Sequence, residues 1–252
     1  MELSANLSYL ICVARYLRPM QTPILLLHGA LGSAAQFDEL RRYLPETQQI
    51  LAPNFPGHGG LPTDIEFSIP YFAESIIALL DQNQIQQVQI FGYSMGGYVA
   101  LYLAWKYPER VERITTLGTK FNWTPDSAAR ETARLDPEKI AAKVLAFAEM
   151  LAERHAPADW QVVVRRTAEL LHGLGNGQAL GSEVFQRITC PVHIGLGEAD
   201  NMVTPEESEA VAGWLPKGAF EVLPGVKHPF EQVDAKQLAV WLPESFKLSL
   251  NL

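Results

Sequence analysis

Apolar residues along this chain fall into two patterns, short uninterrupted runs and spaced stripes, and the two alternate. The run Ile24-Leu25-Leu26-Leu27 after Pro23 is continuous rather than alternating, which predicts a strand buried on both faces. Further strands are expected at Ile50-Leu51-Ala52, Val88 to Phe91, Arg113 to Leu117, Val192 to Leu196 and Phe220 to Leu223, each with one or more polar residues or glycine except the first. Between them the apolar positions take helical spacing. Phe37, Leu40 and Leu44 recur until Pro45, behind a Ser33/Gln36 pair that resembles a capping box. Phe72, Ile76, Leu79 and Leu80 share a face behind a cap at Ser68, and Val99, Leu101, Leu103 and Ala104 lie in a helix from Met95 to Tyr107 that Pro108 ends. Thr204-Pro205-Glu206-Glu207 combines a cap, a first-turn proline and a capping-box glutamate at the head of a helix to Trp214, and a closing helix covers Phe230 to Leu242. Ser8 to Tyr16 alternates loosely and reads as an early strand or half a hairpin. Strands interleaved with helices predict an α/β, doubly wound, mostly parallel sheet with right-handed crossovers and ligands at the carboxyl ends of the strands.

From about Thr119 to Ile188 the alternation stops. Asp136-Pro137 starts a helix carrying Ile140, Val144, Phe147 and Leu151, and a second runs from Asp159 to His172 and stops at Gly173. Helices without intervening strands, too apolar for disorder, predict a helical lid. The expected division is residues 1–118 and 189–252 for the α/β core and 119–188 for the inserted lid. Gly173-Leu174-Gly175-Asn176-Gly177 follows a helix rather than a strand, so it reads as a lid loop and not a nucleotide loop.

Composition narrows the partners. With 252 residues, 48% of them hydrophobic, the chain can bury a large core, and a net charge of -8 without a basic run argues against nucleic acid and anionic membranes. A small-molecule substrate fits better, with no obligate protein partner evident. Cys12 and Cys190 form no framework or metal-ligand spacing, and His155, His172 and His193 have no partner at metal spacing, so no metal or other cofactor is expected. The start Met1-Glu2 lacks a basic leader and no apolar stretch is long enough to span a bilayer. A reduced, cytoplasmic setting is the expectation.

Candidate chemistry centres on Gly92-Tyr93-Ser94-Met95-Gly96-Gly97, where a strand breaks into a glycine-flanked serine and a helix follows. A strand-to-helix corner this sharp, a nucleophile elbow, needs Gly92 and Gly96 so that neighbouring backbone can pass, and it pushes the Ser94 hydroxyl outward. The Met95 N–H and the helix start then face the place where a substrate oxygen becomes negative. A Gly-x-Ser-x-Gly string arises by chance in roughly one such chain in ten to fifteen, and a serine that merely caps a helix explains it equally well. Its company adds the weight. Asp200 and His228 follow strands that open on the same sheet edge, in the order Ser94, Asp200, His228. Acyl transfer needs a hydroxyl, an imidazole to take its proton and a carboxylate to orient the imidazole, so this order suits a serine nucleophile, a histidine base and an aspartate partner.

With these residues the chain resembles the α/β-hydrolase superfamily over nearly its whole length. The likeness is carried by the serine string, His28-Gly29, Phe55-Pro56-Gly57-His58-Gly59, Asp200 after Gly197 and His228 in the penultimate loop. It implies the α/β-hydrolase fold, a catalytic Ser94, Asp200 and His228, and an oxyanion hole formed by the backbone N–H groups of Met95 and Ala30, with Leu31 the near alternative. It places the acid at Asp200 rather than Glu198, which becomes a solvated or loop-bonding carboxylate. His28 reads as a brace of the oxyanion loop and His58 as structural. Leu31, Tyr93, Tyr98, Trp123 and Met202 are the expected substrate contacts, with Phe121 a further pocket residue. Within the superfamily the motifs are similar to small cofactor-free esterases and to the menaquinone-pathway synthase that eliminates pyruvate. Tyr98 stands where the synthase pattern has a basic residue, which weakens the second likeness.

The implied function is a carboxylesterase-like hydrolase cleaving an ester or related acyl bond of a small substrate through an acyl-enzyme. Two other readings stay open: a triad-based lyase or synthase acting on a small acidic substrate, with Arg130 and Arg134 as cations at the lid entrance, and a lid-gated ligand receptor.

Overall fold

The computed structural model describes residues 22–246, and the early strand expected from Ser8 to Tyr16 lies outside them. In chain order the elements are β1 (Ile24–Leu27), α1 (Asp38–Arg41), β2 (Ile50–Leu51), α2 (Ile69–Gln82), β3 (Val88–Tyr93), α3 (Met95–Lys106) and β4 (Val111–Leu117). Four helices follow, α4 (Pro125–Thr132), α5 (Pro137–Lys143), α6 (Leu145–His155) and α7 (Trp160–Gly173), then the short α8 (Ser182–Phe185). The sheet resumes with β5 (Val192–Ala199), α9 (Pro205–Trp214), β6 (Gly218–Lys227) and α10 (Ala235–Phe246).

Among the described residues all pairings are parallel and the strand order is β2-β1-β3-β4-β5-β6. These six strands therefore end on one edge, and the order reverses between β1 and β3, where a crevice must open. β1 is buried along its whole length because alternate side chains feed two cores. Leu25 and Leu27 join the larger one with Ile90, Val99 and Phe72, whereas Ile24 and Leu26 join Phe37, Phe91, Phe230 and Leu242 on the opposite face. This is the physical content of a strand without polar alternation.

Several local expectations change in the folded chain. Ser33 makes no side-chain capping bond: the Gln36 N–H donates to the Ser33 backbone carbonyl at 3.1 Å, the Gln36 side-chain amide reaches Glu231, and the Ala34 N–H donates to Asn54 Oδ1 at 2.7 Å; only a 3₁₀ turn and the short α1 form there. The stripe Ile140–Leu151 is split at Val144, whose backbone leaves the helical region (φ -134°, ψ 59°) and whose side chain is 51% exposed. α7 ends at Gly173 as expected, but with Gly173 still helical it passes into a π-type turn over Leu174–Gln178, in which Gly177 takes φ 96°. α4 was not foreseen, although Thr124 and Ser127 close a reciprocal capping box. β6 continues through Pro224 and Gly225 because the β5–β6 register shifts between Gly197 and Ala199, a bulge that absorbs the expected loop.

The corner after β3 depends on one close approach. A Cβ on Gly96 would meet the carbonyl oxygens of Leu27 and His28 at the end of β1, and both are backbone atoms. Gly96→Ala is therefore expected to destabilise by about 3 kcal/mol in urea unfolding. Gly213, in α9 with open space around it, gives the opposite sign, since Gly213→Ala should stabilise by roughly 0.5 kcal/mol through helix propensity.

Candidate active site

Ser94 sits between β3 and α3 with φ 50° and ψ -117°, a backbone conformation costing on the order of 1–3 kcal/mol that persists only when its surroundings over-determine it. They do so here. The Ser94 N–H donates to Leu117 O at 2.9 Å, Thr119 Oγ1 donates to Ser94 O at 3.0 Å, and the Gly97 N–H donates to the same oxygen at 3.0 Å. The neighbouring strand β4 and the segment just after it thus supply both clamps from outside the helix.

The structure brings the three residues remote in sequence into one hydrogen-bonded chain. His228 Nδ1–H donates to Asp200 Oδ2 at 2.7 Å, which leaves Nε2 as the acceptor facing Ser94 Oγ at 3.4 Å. The first bond is short and strong, as charge-assisted bonds are, and the second is loose; such contacts commonly tighten when substrate binds. Asp200 is held through its other oxygen, which accepts the Met202 and Val203 N–H groups at 2.8 and 3.0 Å. Gly118, with φ 62°, lies beneath this pair, and a Cβ there would press on both Asp200 Oδ2 and the His228 ring. The His228 backbone is fixed as well, its carbonyl accepting the Tyr93 hydroxyl at 2.6 Å; burial pushes that phenol far above its ordinary range, so it remains a donor. Glu198 takes no part in the chain and accepts the Gly225 N–H.

A cavity of about 370 Å³ opens over Ser94 and His228. Ala30, Leu31, Met95, Tyr93, Tyr98 and Met202 all line it, as does Trp123, so each expected contact faces the same space. Phe121 does not line it and packs between Tyr98 and Phe185 instead. The far wall comes from the helices between β4 and β5 through Leu135, Phe147, Leu171 and Leu174. Burial pushes the Tyr98 phenol up to about 12, and its oxygen accepts the Leu180 N–H.

Charged groups at this wall escaped sequence reasoning in part. Lys120, Glu131 and Arg134 line the cavity, whereas Arg130 does not. Lys120 donates to Met202 O at 3.1 Å and lies 3.6 Å from Glu131 and 3.8 Å from Glu207, with side-chain exposures of 15%, 15% and 6%. Its place just past the carboxyl end of β4 was the available signal.

Beneath the loop after β1 lies a cluster of three buried histidines. The Phe55 N–H donates to His28 Nε2, so the proton is on Nδ1, which donates to Gly29 O. The Gly59 N–H donates to His155 Nδ1, and Nε2–H donates to Leu31 O at 3.2 Å. His58 donates from Nδ1 to Pro56 O, and its Nε2 has no partner among the described residues. All three rings are therefore neutral. Desolvation lowers His28 and His155 to about 4, with Arg154 adding repulsion against both, and lowers His58 well below the usual value, with the other two histidines contributing. His28 and His58 hold the supporting places expected of them, but the role of His155 had no sequence signal because its partners lie on other loops.

The unfolded chain binds protons at these rings near pH 6.5, before the folded one can. Stability is therefore intact above about pH 6.5 and falls on acidification towards about 4, by ~1.4 kcal/mol per pH unit for each histidine. Urea unfolding followed from about pH 7 to about pH 4.5 should show this slope, and His155→Gln should remove one proton's share. A flat profile between pH 5 and 6.5 would contradict the neutral cluster.

Comparison with known proteins gives consistent relatives. Residues 22–166 match the family described as alpha/beta hydrolase fold. A pimeloyl-[acyl-carrier protein] methyl ester esterase of Neisseria meningitidis serogroup C is 36% identical over 123 residues, covering 48% of this chain and 43% of that protein. A 2-hydroxymuconate semialdehyde hydrolase of Pseudomonas putida is 39% identical over 90 residues, covering 35% of this chain and 32% of its own length. The match thus spans less than half the length of either relative. Among solved structures, a thermophilic esterase from Thermogutta terrifontis superposes with a TM-score of 0.70 at 21% identity over 90% of this chain and 91% of its own.

Proposed function

The chain belongs to the α/β-hydrolase fold family, and from that premise we propose that it is a serine hydrolase cleaving an ester or related acyl bond of a small substrate through an acyl-enzyme. The observation that carries this reading is the chain Ser94 Oγ, His228 Nε2, His228 Nδ1, Asp200 Oδ2 at the wall of an apolar cavity. His228 takes the Ser94 proton as the hydroxyl attacks the acyl carbon, and Asp200 holds the ring in the Nδ1–H tautomer and stabilises its charged form. The carbonyl oxygen becomes negative between the N–H groups of Met95 and Ala30. His228 then gives its proton to the leaving group, and water repeats the sequence in reverse to free the acid.

The helical insertion acts as the lid in this reading, since Leu135, Phe147, Leu171 and Leu174 close the cavity over Ser94. A cavity of about 370 Å³ is at the small end for ligand sites, which favours a short, largely apolar acyl group contacting Leu31, Tyr93, Tyr98, Trp123 and Met202. Arg134 offers a partner to an anionic end, whereas Lys120 is already paired with Glu131 and Glu207. An anion partner serves hydrolysis as well as elimination, so the lyase reading has no observation of its own. No helix among the described residues is long and apolar enough to cross a membrane.

A fluorophosphonate probe should label the wild-type chain and leave Ser94→Ala unlabelled, with turnover of p-nitrophenyl esters reduced by about four orders of magnitude or more. Asp200→Asn should lose roughly 10⁴ in kcat while still binding substrate. Equal labelling of wild type and Ser94→Ala would end the reading.

A further inference from the structure

The loop that carries the Ala30 N–H is a tight turn, Gly29-Ala30-Leu31-Gly32, closed by the Gly32 N–H donating to Gly29 O at 3.1 Å. Its third position has φ 56° and is occupied by leucine, a residue that disfavours the left-handed region because its Cβ crowds the following carbonyl. Turn geometry alone does not hold a leucine there. What holds it arrives from the helical insertion. Arg154 Nη1 donates to Leu31 O at 3.0 Å, and His155 Nε2–H donates to the same oxygen at 3.2 Å, so both lone pairs of that carbonyl are taken by adjacent residues at the end of α6.

The same guanidinium reaches a second loop. Arg154 Nη2 pairs with Glu231 Oε1 at 2.6 Å, and Glu231, three residues after His228, also accepts the Gln36 amide at 2.9 Å. The Arg154 side chain is only 14% exposed and Glu231 46%, so the guanidinium is held at its inner end by the Leu31 carbonyl while the ion pair with Glu231 faces solvent on the carboxylate side. The packing of α6 does not require it, because Ala148 and Leu151 already bury the helix in the main core.

We propose that Arg154 is a positioning residue for the reaction: it locks the Leu31 carbonyl so that the Ala30 N–H stays aimed at the developing oxyanion, and through Glu231 it ties that turn to the segment bearing His228. This rests on the hydrolase reading above. A donor displaced by about 1 Å forfeits much of its effect on the transition state while leaving ground-state binding nearly intact. The loss should therefore fall on kcat.

The test compares wild type with Arg154→Ala, Arg154→Lys and Glu231→Gln in the full chain. Arg154→Ala should lower kcat on p-nitrophenyl esters by about 10- to 100-fold with KM within about twofold. Affinity for an alkyl boronic acid, which forms a tetrahedral anion on serine, should weaken in proportion to kcat/KM. Arg154→Lys keeps one donor and should recover part of kcat, and Glu231→Gln should cost less and add little to Arg154→Ala. Hydrogen exchange reads the clamp without turnover: peptides covering Gly29 to Ser33 should lose protection in Arg154→Ala. Unchanged protection, or a kcat loss that leaves boronate affinity at the wild-type level, overturns the proposal while the hydrolase reading stands. Wild-type chain that neither hydrolyses esters nor reacts with a fluorophosphonate overturns the reading, and the positioning role with it.

Discussion

The structure depends on how closely the start of α3 is pressed against the end of β1. At Gly96 the two backbones leave no room for a Cβ, and that contact forces the chain to turn from strand to helix within one residue. The strained dihedrals of Ser94 follow from it, as does the outward hydroxyl. The end of β4 and the residues just past it then secure the corner through the Leu117 carbonyl and the Thr119 hydroxyl. Local strain, close packing and reactive geometry are one constraint seen at three scales.

Around that corner the parallel sheet does the collecting. Because the six described strands run the same way, loops after β1, β3, β5 and β6 open on one edge, and residues as far apart as Ser94 and His228 meet there. Beneath them, desolvation rather than charge pairing sets the state of the histidines. His28, His58 and His155 are neutral, each acting through a defined tautomer as a brace for turns whose own backbone would not hold. A buried neutral imidazole can both donate and accept, which suits a place where two loops must be tied together.

Much of this was legible in the residues. Continuous apolar runs marked the central strands, and Ser68 and Thr204/Glu207 marked helix starts where the side chains do cap. The order Ser94, Asp200, His228 could be read because strand ends are where such residues gather. What escaped was set by tertiary contacts. Ser33 looks like a cap, but its side chain takes no capping bond and the Gln36 amide that would complete the box reaches Glu231 on another loop. Val144 keeps the helical spacing yet sits at a break. Lys120, Arg154 and His155 carry no motif, and their roles come from the partners the fold delivers, Glu131, Glu231 and the Leu31 carbonyl.

The two bonds from the end of α6 to the Leu31 carbonyl bear on how such a chain can diversify. Helices inserted after β4 look exchangeable, since they hang from the sheet at two points and line only one side of the cavity. Here they also furnish the scaffolding of the turn opposite. A transplanted set of helices would reshape the pocket but arrive without that prop, so new specificity could not be acquired by wholesale replacement alone. Substitutions among the residues that line the cavity leave that prop in place, whereas changes in the last turn of α6 remove it.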